Sequence, residues 1–309
     1  MSGRAARVAA QAKVNLFLHV LAREDSGYHQ IETLFCRLAL ADDVVVRIPD
    51  TGAQRTIDCA GDDMGPPDQN LAFRAAALYA DNRGWPGGFA IEVTKRIPIG
   101  GGLGGGSADA GAVLRALRAL DPEPPPVAAL VQWAGRLGAD VPFMTLESPL
   151  ALGWGRGESL LSLPRLPSRA VLLYVPEFGV STRDAYAWLD ADRSAGAGAL
   201  PPQRVDRPHP TSARPLDLET LSHWNGVAPL MANDFEDVVG RRHPELPAIA
   251  ARLRAMPDAV GALMSGSGST MYCVMAGSAA PRDPVVAPAS GTFVMTATAE
   301  HVVGVRHID

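Results

Sequence analysis

Along the start of the chain, apolar and polar residues alternate. Ala12, Val14, Leu16, Leu18 and Val20 fall on one side, and Lys13, Asn15, Phe17 and His19 on the other. A period of two predicts a strand over 10–20. A polar loop at 23–30 separates it from further strands at 31–38 and 43–48. Residues 70–82 change period: Leu71, Ala75, Leu78 and Tyr79 share one helical face. Phe89, Ile91 and Val93 return to alternation and predict a strand over 88–95. A dense glycine cluster occupies 100–106. Beyond it Ala110, Val113, Leu114, Leu117 and Leu120 mark a helix that Asp121-Pro122 and the prolines at 124–126 must stop. Val127, Leu130, Val131, Ala134 and Leu137 mark another, with Gly138 as its C-terminal cap.

The second half is read the same way. Strands are predicted at 169–175, 271–275 and 293–298, and helices at 181–189 and 246–256. Ser181 or Thr182 is the N-cap of the first of these helices. Residues 261–270 read as a small-residue loop. The stretch 191–215 is rich in Ala, Gly, Pro, Ser and Arg without periodicity, and reads as a long surface loop or disordered insert. Strands often follow one another with no helix between, which favours α+β over a doubly wound parallel sheet. A chain of 309 residues suggests two domains, divided here into 1–160 and 161–309.

Charge and composition narrow the function classes. A net charge of −5 argues against nucleic acid or an anionic membrane as partner and leaves a small molecule. No apolar run is long enough to span a bilayer, and the first residues lack the apolar core of a secretory signal. Cys36, Cys59 and Cys273 are odd in number and far apart, so they read as reduced thiols of a cytoplasmic protein rather than a metal or redox motif.

The most informative stretch is Lys95 to Asp109. A strand, a glycine loop and a helix present backbone N–H groups to an anion, and the helix start near Ser107 adds the positive end of its dipole. The Ser107 hydroxyl can meet a phosphate or a hydrated metal ion. No lysine follows the glycines, so this is not a P-loop. Gly100, Gly102 and Gly105 spell GxGxxG, but no second strand ending in an acidic residue follows at the dinucleotide spacing.

Phosphoryl transfer to an alcohol needs positioning, charge stabilisation and a group to take the proton. Asp140 follows a helix stop, and Lys13 sits mid-strand among apolar residues, where it needs a carboxylate partner or an exit to solvent. Read alone, each fits a plainer role better: Asp140 as a turn residue, Lys13 as an outward-facing strand charge.

Taken together, the segments 12–16, 98–108 and 262–270 resemble the GHMP kinases, in that family's order and across most of the chain. Gly27-Tyr28-His29, the run Leu137 to Pro142 and Asn233-Asp234-Phe235-Glu236 match most closely the members whose acceptor is a cytidyl diphosphate sugar alcohol of the non-mevalonate isoprenoid route. The resemblance implies an N-terminal domain like the second domain of ribosomal protein S5 and a ferredoxin-like C-terminal domain. It implies ATP and Mg²⁺ as cofactors, with no protein ligand for the metal identified, and leaves monomer or homodimer open.

The resemblance also implies residue roles. Lys13 and Asp140 map onto the catalytic pair. Pro98, Gly100, Gly101, Gly102, Leu103, Gly104, Gly105, Gly106, Ser107 and Ala108 wrap the ATP phosphates, with Asn70 near the nucleotide. Asn15 lies near the sugar alcohol. Tyr28 and His29 hold the cytosine, one by stacking and one by hydrogen bonds. Tyr186 is a second aromatic against the base, and Gly266, Ser267 and Gly268 shape the site from the second domain. Two positions depart from the pattern. Gln11 stands where proline is usual, which loosens the entry to the first strand, and Ser26 stands where an aspartate often precedes Gly-Tyr-His.

Overall fold

The structure is a computed structural model that describes residues 4–60, 66–195, 216–277 and 291–308. Two long antiparallel strands, β1 (Arg4–Arg23) and β2 (His29–Ile48), form its spine. β3 (Arg55–Ala60) leads to helix α1 (Leu71–Arg83), and β4 (Phe89–Thr94) then inserts between β2 and β3. The glycine loop follows and opens α2 (Gly105–Leu120), whose residues Ala108–Leu117 are buried almost all round against α1, β1 and β2. Two shorter helices, α3 (Val127–Ala134) and α4 (Val141–Thr145), lead to the hairpin of β5 (Leu150–Gly155) and β6 (Ser159–Ser162), which pairs along β2.

Strand β7 (Ala170–Pro176) begins a second, four-stranded sheet. It is followed by helix α5 (Thr182–Ala195), the short helices α6 (Leu218–Leu221) and α7 (Trp224–Val227), and strand β8 (Ala232–Asn233). Then come α8 (Phe235–Gly240), α9 (Glu245–Arg254) and strands β9 (Ala259–Met264), β10 (Met271–Met275) and β11 (Gly291–Ala297). The sheet order is β11-β7-β10-β9, with all neighbours antiparallel. Counted within that sheet, this is the fourth-first-third-second order of a ferredoxin-like layer. A last strand, β12 (Arg306–Ile308), returns to pair with β1 in the first sheet, and β8 pairs with β1 in parallel. The mixed architecture is the α+β arrangement expected.

Four local expectations are corrected. The strands at 31–38 and 43–48 are one continuous strand. Asp42, which ends the Ala-Leu-Ala-Asp segment between them, stays on the ladder because Lys95 and the Arg96 and Ile97 amides satisfy its carboxylate. The helix opened by Val127 ends at Ala134 rather than at Gly138; its last turn closes at Gly135, and Gly138 lies in the turn leading to α4. Residues 259–264 form a strand, not part of a loop. Gly261 is small because Met231 packs over it, with the Met231 Sδ 2.5 Å from where a Cβ would sit. The helix opened by Ser181 runs on to Ala195, held by Arg193 donating to the Val20 carbonyl at 2.7 Å. The rest of the aperiodic stretch, 196–215, lies outside the described residues.

Candidate active site

The glycine loop joins the end of β4 to α2. Gly100, Gly102 and Gly104 have φ of 75°, 77° and 72°, the left-handed region that favours glycine. No side chain caps α2, so the first amides of the helix, from Gly105 to Ser107, point into the loop without intrahelical partners. Lys95, Ile97 and the run Pro98–Gly106 line a cleft of about 70 Å³. Leu103 and Ala108 are buried and anchor the loop from below, and the Leu103 carbonyl accepts from the Lys13 amide at 3.0 Å.

The second small-residue loop, 265–270, packs against the first. The Ser265 hydroxyl donates to the Gly102 carbonyl at 2.9 Å, and the Thr270 amide to that of Gly101 at 3.2 Å. A Cβ on Gly102 would overlap the Ser265 carbonyl, and one on Gly101 the Thr270 hydroxyl. Gly266 and Gly268 also take positive φ. Asn233 holds this loop by donating to the Met264 and Gly266 carbonyls at 2.7 and 2.8 Å. Ser267 lies 2.9 Å from the Thr182 hydroxyl at the start of α5.

Lys13 meets its carboxylate at the junction of the two loops. Its Nζ lies 3.4 Å from an Asp140 carboxylate oxygen and donates to Asn15 Oδ1 at 2.7 Å. Lys13 is buried, whereas the Asp140 side chain keeps 31% of its surface exposed. Asp140 precedes α4 but makes no capping hydrogen bond to it, so the carboxylate is left to face Lys13. Asn15 is fixed on every side. It donates to Thr33 Oγ1 at 2.8 Å, and its Oδ1 also accepts from the Gly266 amide at 3.1 Å. Both plainer readings therefore give way: Lys13 points inward, and Asp140 is its partner.

On the far side of Asp140 lies an aromatic patch. His29 is stacked on Tyr186 with ring centroids 4.5 Å apart and planes 19° apart, and Tyr186 meets the edge of Phe235. Burial and the Asp140 charge push the Tyr186 phenol up to about 12, so it stays a neutral O–H donor. Tyr28 is 60% exposed, and the Arg156 guanidinium covers its ring at 4.1 Å. Here Tyr186 spends one face on His29 rather than leaving both faces open.

Several residues of this region escaped the sequence reading. An Asp190 carboxylate oxygen lies 2.7 Å from His29 Nε2; Asp190 sits one helical turn beyond Tyr186, just past the predicted end of that helix at 189. Arg156, held by Glu24, lies far from Tyr28 in sequence. Beneath the glycine loop, Lys95 bridges Asp42 and, at 2.7 Å, Asp109. Burial pushes the Asp109 carboxyl up to about 7 although Lys95 opposes the rise, and its Oδ1 has no hydrogen-bond partner among the described residues. Burial works against the Lys95 charge, but the two carboxylates outweigh it and raise the ammonium. The signal for this cluster was a lysine at a strand end, a position usually solvated. Asn70 caps α1, accepting from the Ala72 amide at 2.9 Å, and its amide reaches Cys59.

Known proteins share this fold. The family model described as the GHMP kinases N terminal domain matches residues 70–148, and the GHMP kinases C terminal model matches 217–283. The chain is 38% identical to 4-diphosphocytidyl-2-C-methyl-D-erythritol kinase of Solibacter usitatus, over 87% of this chain and 81% of that one. It is 39% identical to the enzyme of that name from Thermus thermophilus, over 85% of each. A crystal structure of 4-(cytidine 5'-diphospho)-2C-methyl-D-erythritol kinase superposes with a TM-score of 0.71 at 36% identity, covering 94% of this chain and 98% of that one. Homoserine kinase from Cytophaga hutchinsonii shares the fold, with a TM-score of 0.64 at 18% identity, covering 98% and 97%. The chain belongs to the GHMP kinases and, within them, to the 4-diphosphocytidyl-2-C-methyl-D-erythritol kinase family.

Proposed function

We propose that this kinase transfers the γ-phosphoryl group of ATP to a hydroxyl of 4-diphosphocytidyl-2-C-methyl-D-erythritol, giving the 2-phosphate, in the non-mevalonate route to isoprenoid precursors. The observation that carries the reading is the Lys13–Asp140 pair, 3.4 Å apart, between a phosphate-cradling loop and an aromatic patch able to hold a base. In this reading the acceptor hydroxyl sits against Asp140, which takes its proton as the oxygen bonds to the γ-phosphorus. The bond to ADP breaks on the opposite side. Lys13, anchored by Asn15, offsets the charge that builds on the transferring group. The amides of the glycine loop and of the α2 start hold the phosphates, and Asn70 lies near the nucleotide. Tyr28, His29 and Tyr186 hold the cytosine, Asn15 contacts the sugar alcohol, and Gly266–Gly268 close the site.

Mg²⁺ fits as an ion carried chiefly by phosphate oxygens and water. No group of three or more His, Cys, Asp or Glu side chains among the described residues could hold it, and the Ser107 hydroxyl, in the first turn of α2, is a further oxygen the chain offers. When bound it neutralises phosphate charge. A cytoplasmic site of action fits the three free cysteines and the lack, among the described residues, of a helix able to cross a membrane.

The test is ADP release with Mg-ATP and three acceptors: the cytidyl compound, homoserine and mevalonate. Turnover with the cytidyl compound alone is expected, and turnover with another acceptor instead would replace the substrate. In the same assay Asp140→Asn should lose about 10²–10⁴-fold in turnover with ATP affinity unchanged. Full activity in that variant would remove Asp140 from its role.

A further inference from the structure

We infer that Asp190 is a positioning residue that fixes the tautomer of His29, and thereby makes the enzyme select cytosine over uracil. The inference rests on the proposed cytidyl substrate. One Asp190 carboxylate oxygen lies 2.7 Å from His29 Nε2, and the other lies 3.5 Å from Arg23. A carboxylate only accepts, so in the neutral imidazole the proton must reside on Nε2. Nδ1 is then left with a lone pair, and no described residue donates to it.

The ring cannot easily turn away from this arrangement. It is nearly buried and lies flat on Tyr186, which sits one turn from Asp190 on the same helix. A single element, α5, thus supplies both the plate that sets the plane of the imidazole and the acceptor that sets its proton.

The consequence is a difference between two bases of nearly equal shape. Cytosine presents an amino group at C4, a donor that an Nδ1 lone pair can accept. Uracil presents a carbonyl there, so two acceptors would face each other with no proton between them. A lost or mismatched hydrogen bond in a dry site commonly changes affinity about 10-fold or more. Without Asp190 the proton is free to move to Nδ1, and His29 then accommodates the uracil carbonyl equally well.

The experiment has two parts, both at about pH 8.5, where an ordinary imidazole is neutral. First, ¹⁵N NMR of histidine-labelled protein, with His29 assigned by the signal lost in His29→Gln, should show Nε2 protonated and Nδ1 bare. A protonated Nδ1 in the wild-type chain overturns the proposal, and this measurement needs no variant at Asp190. Second, kcat/KM is compared for the cytidyl acceptor and its uridyl analogue. Asp190→Ala should lower the cytidyl-over-uridyl ratio about 10-fold, while Asp190→Asn, which keeps an acceptor oxygen, should restore most of it. An unchanged ratio in Asp190→Ala, or equal losses in both variants, overturns the selection role. No turnover of the cytidyl compound by the wild-type enzyme would sink the substrate assignment instead, and the NMR result would still decide the tautomer.

Discussion

Asp109 faces an unusual pair of demands. It is buried beside a second carboxylate, Asp42, and shares the Lys95 ammonium with it. One cation between two buried carboxylates leaves the pair short of charge, and burial moves the Asp109 carboxyl up to about 7. The sign of the linkage follows. Between the ordinary carboxylate value near 4 and about 7, the folded chain holds this proton and the unfolded chain does not. Asp109 therefore lowers stability as pH rises through that window, and the loss is complete above about 7. Asp109→Asn removes this contribution. In urea titrations at about pH 5, 6 and 7.5, the stability of Asp109→Asn relative to wild type should rise with pH. Parallel curves would mean that Asp109 is ionised throughout. Lys95 and Asp42 also tie both ends of the glycine loop to one point, since Asp42 accepts from the Arg96 and Ile97 amides and Asp109 belongs to α2.

At the scale of elements, the two small-residue loops are one device. Each uses glycines because the backbone of the other lies where a side chain would be. Gly102→Ala is strained twice over, by a φ of 77° and by overlap with the Ser265 carbonyl. The expected result is a rise of about 10-fold or more in the KM for ATP, with a fall in Tm of several degrees. Unchanged KM with lowered Tm would mean that the loop serves packing rather than phosphate binding. Helix α4 is held from its other end by Arg37, a fully buried guanidinium with no carboxylate partner among the described residues. Its donors reach the carbonyls of Phe143, Met144, Leu146 and Ser148 and its plane lies over Phe143. Burial lowers the guanidinium to about 9, which still leaves it charged at neutral pH. A helix of five residues cannot hold Asp140 in place by its own hydrogen bonds, and this cap supplies the rigidity.

At the scale of the whole molecule, the chain's end is fastened to its beginning. The Val303 amide donates to Gln11 Oε1 at 2.9 Å, Gln11 Nε2 reaches the Leu38 and His301 carbonyls, and Arg115 donates to the Val303 carbonyl. β12 then pairs with β1. Gln11 thus fastens the first strand where its exchange for the usual proline suggested a looser entry. Gln11→Ala strips three hydrogen bonds from a buried position and should cost about 1–3 kcal/mol, read as a lower urea midpoint at unchanged m-value. Amide exchange in residues 299–308 should quicken more than in β7 or β10. Uniform quickening would mean that the tether has no local role.

The amino-acid sequence alone determined the strand and helix periods of the first sheet, the glycine loop at 100–106 leading into a helix, and the α+β class. These depend on neighbours in sequence: alternation, helical spacing, glycine where φ must be positive. It also carried motif likenesses that pointed to Lys13, Asp140, His29 and Tyr186. The resemblance paired Lys13 with Asp140, but nothing in the residues around them showed the contact, because a lysine in β1 and an aspartate before α4 meet only when β1, α2 and α4 pack together. The same holds for Asp190 behind His29, Arg156 over Tyr28, Lys95 between two carboxylates and Arg37 under α4. Each is a charged residue whose partner lies far away in the sequence. The tertiary structure decided which of them face inward, because removing a charge from water is tolerated only where the fold brings it an opposite charge, a set of carbonyls or an aromatic face.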